Sequence, residues 1–120
     1  MKKENAVLTK SYAFAVRIVK LYKFLVEHKN ERVLSRQVVR SGTSIGANVE
    51  EAEGGQSNKD FFAKLTVAYK EARETHYWIR LLRDTGYIEP KQAESLLTDL
   101  EEILKIITAI QKTMRNKPPD

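Results

Sequence analysis

Ser41-Gly42-Thr43-Ser44-Ile45-Gly46-Ala47-Asn48-Val49 is the longest uncharged run in the chain, bounded by Arg40 and by Glu50-Glu51. Its residues are mostly small. Each internal glycine costs a helix up to ~1 kcal/mol against alanine. A helix tolerates that only where a neighbour presses closer than larger side chains allow. The stretch therefore predicts the narrow waist of a helical bundle. Ser41, Gly42, Ile45, Gly46 and Asn48 are expected to form it, with Ala68 and Ala72 meeting them from another helix.

The rest of the chain is built for long helices. Proline occurs only at Pro90, Pro118 and Pro119. With 120 residues, 42% of them hydrophobic, there is material for one domain with a real core. The absence of cysteine excludes disulfides and thiolate zinc sites and fits a reducing compartment. No uncharged run approaches the ~18 residues of a membrane span. Met1-Lys2-Lys3-Glu4-Asn5 leads into no apolar run of signal-peptide type. A cytoplasmic protein without a membrane partner is expected.

Rows at three-four spacing mark four helices, at about 8–28, 31–53, 58–84 and 90–115, with a flexible tail over 116–120. In the first, Leu8, Tyr12, Ala15, Val19, Tyr22 and Val26 form the expected core seam. A second row, Phe14, Ile18, Leu21 and Leu25, lies beside it. Asn30 is placed to cap the second helix, with Glu31 in its first turn. That helix carries Leu34, Val38, Ser41, Ile45, Asn48 and Ala52 inward and ends at Gly54-Gly55. Ser57 caps the third, whose seam runs from Phe61 through Leu65, Ala68, Ala72, Thr75 and Ile79 to Leu82. Thr85-Gly86 closes it, and Pro90 suits the first turn of the fourth. Short connections between long helices imply an all-α, up-down-up-down antiparallel four-helix bundle. Folding the helices back on one another brings Asn48 near Tyr12, whose hydroxyl is the expected partner of the amide.

Between Tyr12 and Val26 only Arg17, Lys20 and Lys23 are charged. A helix on the outside of a bundle needs only about a third of its surface apolar. The first helix must then be covered on more than one side, either by a central position in the fold or by another subunit. In the second case Phe14, Ile18, Leu21 and Leu25 form the interface. Trp78 serves there as an anchor, or else it widens the core face beside Tyr77 and Leu81.

The net charge of +5 is already present in the first quarter of the chain, and the remainder is balanced. Lys20 and Lys23 near the end of the first helix fall beside Arg32 and Arg36 at the start of the second. Arg17 and Arg40 extend the patch toward the waist. A basic excess can mean nucleic acid, a membrane surface or only solubility; for a nucleic acid, basic side chains on helix faces would supply phosphate contacts without reading bases.

No constellation here resembles an active site. Di-iron bundles use Glu-x-x-His, but Leu25 and Arg73 stand three residues before His28 and His76. Gly54-Gly55-Gln56-Ser57 lacks the Gly-Lys-Ser/Thr ending of a phosphate loop and reads as a turn. Gly42-x-x-x-Gly46, among Arg36, Arg40, Glu50 and Glu51, is a close contact of a soluble helix. Glu50, Glu51 and Glu53 are solvated or meet arginines of another subunit. No catalytic residue, metal or cofactor is expected.

The run from Arg40 through Ser41-Gly42-Thr43-Ser44-Ile45-Gly46-Ala47-Asn48-Val49 to Glu50-Glu51 resembles the signature of the bacterial four-helix bundle protein family, also called 23S rRNA intervening-sequence proteins. The likeness continues through Phe61-Phe62, Ala68, Glu71-Ala72 and Glu74 to Trp78-Ile79, and it covers essentially the whole chain. It implies a bundle that assembles into a ring, commonly a pentamer. It also implies that some relatives are encoded within segments interrupting ribosomal RNA genes. A similar bundle is the accessory protein of diversity-generating retroelements, where it binds a reverse transcriptase and nucleic acid. The function expected is that of a non-enzymatic oligomer holding ribosomal or other structured RNA, or a ribonucleoprotein, on a basic face. The alternative is a protein–protein scaffold with no nucleic-acid role.

Overall fold

A computed structural model describes residues 2–116. Four helices make up the fold: α1 (Lys2–Lys29), α2 (Leu34–Glu53), α3 (Asn58–Asp84) and α4 (Pro90–Arg115). No strand occurs among the described residues. Of the expected flexible tail, residues 117–120 lie outside the described residues.

Each helix packs on two others, in the cycle α1–α2–α3–α4, and the diagonal pairs make no close approach. The direction of each neighbour is read from its contacts. Gly42 faces Ile18 and Gly46 faces Ser11, so α2 rises as α1 falls. Arg40 reaches Glu71 and Glu74, whereas Lys64 reaches Glu51, so α3 runs against α2. Lys10 pairs with Glu102 and Arg17 with Asp99, which fixes α4 antiparallel to α1. The fold is therefore an up-and-down bundle, 52 Å long and about 20 Å across.

The helix ends follow from their capping chemistry. Ser57 accepts a hydrogen bond from the Asp60 N–H at 3.1 Å and starts α3. At the other end Gly86, at φ 83°, lets its own N–H reach the Arg83 carbonyl while the Tyr87 N–H reaches that of Leu82. That pair of bonds is a Schellman closure and requires a residue comfortable at positive φ. The turn between α1 and α2 differs from expectation. Asn30 adopts φ 52° and terminates α1 rather than capping α2. The cap is the Glu31 carboxylate, which accepts from the N–H groups of Val33, Leu34 and Ser35 at 3.1, 3.0 and 2.7 Å. It satisfies three donors that α2 would otherwise leave orphaned and places negative charge at the helix N-terminus. The Ser35 hydroxyl donates back to the Glu31 carbonyl at 2.9 Å. Three residues are taken up in this cap, so α2 begins at Leu34 and not at 31.

The small-residue waist is where α2 meets its neighbours. Ser41, Gly42, Ile45 and Gly46 are buried, as are Ala68 and Ala72 on α3. A Cβ on Gly42 would stand 2.7 Å from Ile18 Cγ2, and one on Gly46 would stand 3.3 Å from the Ser11 carbonyl oxygen. The two glycines thus mark the close approach of α2 to α1. On the α3 side the Ser41 and Thr75 hydroxyls hydrogen-bond at 2.8 Å inside the core, and Thr75 also donates to the Glu71 carbonyl at 2.8 Å.

Two expectations fail here. The rows of α1 change places: Phe14, Ile18, Leu21 and Leu25 are buried within the subunit and cannot form an outward interface. Both rows satisfy helical spacing, but α2 meets α1 at Ile18, opposite Gly42, and at Ser11, opposite Gly46, which turns the Phe14–Ile18 side of α1 into the core. The supposed seam instead reaches solvent, with Tyr12 68% exposed and Val19 38%. Asn48 also leaves the waist. It is only half-buried, and its amide donates to the Ser44 carbonyl of its own helix at 2.8 Å, not to Tyr12. An amide able to reach the carbonyl one turn back has a partner without crossing to another helix.

Candidate nucleic-acid interface

The six basic residues expected to form one patch divide into two kinds. Arg17 turns toward α4, where its guanidinium pairs with Asp99 at 2.6 Å and donates to Ser95 Oγ at 3.1 Å. Arg40 turns the other way, toward α3, and lies between Glu71, at 3.1 Å, and Glu74. Glu74 also accepts from the Trp78 indole N–H at 2.9 Å. That indole, offset by burial and reinforced by Arg40, holds the Glu74 carboxyl below the ordinary carboxylate range. Trp78 is half-buried and anchors this network between α2 and α3. Arg17 and Arg40 are therefore cross-helix ties, and they diverge from each other.

Lys20, Lys23, Arg32 and Arg36 are exposed. Because Ile18 lies opposite Gly42, the α1 residues beyond 18 run beside the α2 residues before 42. The four cations therefore belong to the same end of the α1–α2 pair. Arg32 makes a long contact from Nε to Asn30 Oδ1, 3.4 Å. No carboxylate pairs with Lys20, Lys23 or Arg36 among the described residues.

Next to these cations the outer face of α1 is apolar. Tyr12, Ala15, Val16 and Val19 line a shallow depression whose far rim is Lys20 and Lys23. Tyr12 and Val19 belong to the row expected to form the core seam, and Val16 to neither row. Their signal was available in the excess of apolar residues on this helix, but the choice between its two rows hid it.

No group of three or more His, Cys, Asp or Glu side chains able to hold a metal occurs among the described residues. His76 accepts from Arg80 Nε at 3.0 Å. Burial, then the charge of Arg80, pushes its imidazole below the ordinary histidine value. None of the described helices is long and apolar enough to cross a membrane.

The sequence profile described as 23S rRNA-intervening sequence protein matches residues 3–109 of this chain. Among solved structures, the chain is similar to a protein of unknown function from the S23 ribosomal protein family of Bacteroides thetaiotaomicron VPI-5482. The two are 55% identical and superpose with a TM-score of 0.91, over 92% of this chain and 98% of the other. No significant match is found among curated proteins.

Proposed function

The chain belongs to the 23S rRNA-intervening sequence protein family, and from that membership and the geometry above we propose a non-enzymatic protein that assembles with copies of itself and holds RNA backbone at the α1–α2 face. The cations of that face are Lys20, Lys23, Arg32 and Arg36. The observation that carries the reading is that three of them, Lys20, Lys23 and Arg36, are exposed with no carboxylate partner among the described residues. A cation not spent on an internal ion pair retains its charge for a polyanion. Arg17 and Arg40, expected in the patch, hold helices together instead.

Self-assembly is favoured by the exposed row Tyr12, Val16 and Val19, an apolar strip on α1 that ends at Lys20 and Lys23. The ring of five is taken from the family resemblance alone. In such a ring each subunit repeats the basic face, so modest contacts add through multivalency. The cell compartment that fits is the cytoplasm.

The test is a salt series of RNA affinity for the wild type and for a variant with Lys23, Arg32 and Arg36 changed to glutamine, with assembly checked by light scattering. Each lost phosphate contact reduces the slope of log affinity against log salt by ~0.7–0.9. The triple variant is therefore expected to lose about 2.1–2.7 from the slope while keeping its mass. If the wild type binds no RNA even at low salt, the α1 strip is left as the functional surface and the protein is a scaffold. If it binds and the slope does not change, the RNA is held elsewhere.

A further inference from the structure

The outer face of α3 carries a second cationic surface, concealed in the sequence by the balanced charge of the chain after its first quarter. Lys70, Arg73, Tyr77 and Arg80 recur at steps of three and four and so share one helical face. All four are exposed. From the first to the last the helix rises about 15 Å.

Tyr77 keeps 49% of its surface open to solvent, yet its ring is held. Trp78 packs against it edge-on, with centroids 5.0 Å apart and planes at 73°. The Arg80 guanidinium lies 5.9 Å from the Tyr77 centroid. Arg80 is itself fixed by its Nε, which donates to His76 Nδ1 at 3.0 Å and to the His76 carbonyl at 3.3 Å. Burial and the nearby charges of Arg80, Arg73 and Arg83 push that imidazole below the ordinary histidine value, against the opposing pull of Glu101 from α4. Two carboxylates close to the stripe are engaged elsewhere, Asp84 with Arg83 at 2.8 Å and Glu74 with Arg40 and Trp78, while Glu101 of α4 acts on His76 by its charge alone. No carboxylate pairs with Lys70, Arg73 or Arg80 among the described residues.

We propose that this stripe of α3 binds unpaired RNA, with a base stacked on Tyr77 beside Arg80 and the backbone phosphates held by Lys70 and Arg73. A held, exposed aromatic ring in line with cations suits a single strand. A duplex presents its phosphates but keeps its bases stacked on one another. A protein anchor of the same type would lie among apolar neighbours, whereas the neighbours of Tyr77 along this face are cations. The site is separate from the α1–α2 face and makes a different demand on its ligand, an open base.

The experiment uses the assembled full chain, a short oligoadenylate and an RNA duplex of equal length. Base stacking on an aromatic side chain corresponds to roughly 5- to 150-fold in affinity. Tyr77→Leu is therefore expected to weaken oligoadenylate binding by that factor, without changing its salt slope and without affecting the duplex. Lys70→Gln with Arg73→Gln should lower the oligoadenylate slope by about 1.4, two contacts at ~0.7 each. Trp78, the single tryptophan of the chain, reports directly: its fluorescence should change with oligoadenylate and not with duplex. Wild-type affinity in Tyr77→Leu, or no oligoadenylate binding at low salt, overturns the inference. So does a drop in mass of Tyr77→Leu by light scattering, because the face would then be a subunit contact. If only the Lys23, Arg32 and Arg36 variant loses oligoadenylate, the α3 site fails and the α1–α2 face stands. If only the α3 variants lose it, the reverse holds.

Discussion

Gly42 on α2 lies so close to Ile18 on α1 that a Cβ at position 42 would stand 2.7 Å from Ile18 Cγ2 and 2.9 Å from Cγ1. Ile18 has no solvent to move into, being 0% exposed, and its branched Cβ restricts it to one helical rotamer. The glycine is thus a spatial requirement of the α1–α2 contact, and its weak helix propensity is tolerated for that reason.

Gly42→Ala should accordingly destabilise the bundle although alanine is the better helix former. Overpacking costs ~1–3 kcal/mol and the propensity gain returns up to ~1 kcal/mol, so a net loss of up to about 2 kcal/mol is expected by denaturant unfolding. Ile18→Ala, which removes both clashing γ carbons, should cost less in the Gly42→Ala chain than in the wild type. Gly54→Ala, where the added Cβ meets nothing nearer than 3.7 Å, serves as the control and should change stability by less than about 0.5 kcal/mol. If Gly42→Ala melts at or above the wild-type temperature, the helices are farther apart than described.

The buried Ser41–Thr75 hydroxyl pair gives a second expectation. Thr75→Val keeps the shape but leaves Ser41 with only its long contact to the Val38 carbonyl, 3.5 Å. An under-satisfied buried hydroxyl costs ~1–3 kcal/mol, whereas removing both hydroxyls can be nearly neutral. In a double-mutant cycle, Ser41→Ala with Thr75→Val should therefore cost less than the two single changes together. Simple additivity would mean that the two hydroxyls do not depend on each other.

The helices and the waist were legible because their causes are local. Proline spacing, Ser57, Gly86 and the small residues from Ser41 to Gly46 each act on the backbone or contact next to them. What was not legible depended on partners in other helices. Either apolar row of α1 fits a helix, and only the depth of the cleft at Gly42 selects the Phe14–Ile18 row. Arg17 and Arg40 are visible as cations in sequence, but Asp99 and Glu71 lie 82 and 31 residues away along the chain. Glutamate is a less usual cap than asparagine and suits a first turn equally well, so in the sequence Asn30 stands out as the cap and Glu31 does not. Its two extra bonds of reach over a serine let it serve three amides from outside the helix.

Glu31 should make the bundle sensitive to acid. Burial, the largest influence, raises the pKa of this 8%-exposed carboxyl, but the three backbone N–H groups and Ser35 together bring it below the ordinary value of 4.5. A carboxyl with a depressed folded pKa stabilises the fold fully above its unfolded pKa, and that contribution is lost as pH falls through the folded value. Glu31→Gln should thus cost about 0.5–2 kcal/mol near pH 7, the range of a lost cap. The difference between wild type and variant should then narrow as pH falls below 4.5. A gap that stays constant down to pH 3 would mean that the charge of Glu31 contributes nothing to the cap.

The exchange of the two α1 rows turns one experiment into a comparison of two. Val16 is 39% exposed in the subunit and Ile18 is 0% exposed. Glutamate at position 18 would place an unpaired charge in the core, one of the few changes that destabilise a domain by about 4 kcal/mol or more. Ile18→Glu should therefore unfold the chain, with loss of helical circular dichroism at any protein concentration. Val16→Glu faces water in the isolated subunit and should leave the helical signal and the core intact. If copies of the chain meet through the Tyr12–Val16–Val19 strip, the same change buries a charge at their contact. Light scattering should then fall from a multiple of 13.8 kDa toward 13.8 kDa. Three outcomes separate the cases. A folded Val16→Glu of reduced mass places the contact on this strip. A folded Val16→Glu of unchanged, multiple mass places it on another face. A wild type already at 13.8 kDa at micromolar concentration ends the assembly reading and leaves the strip to a different partner.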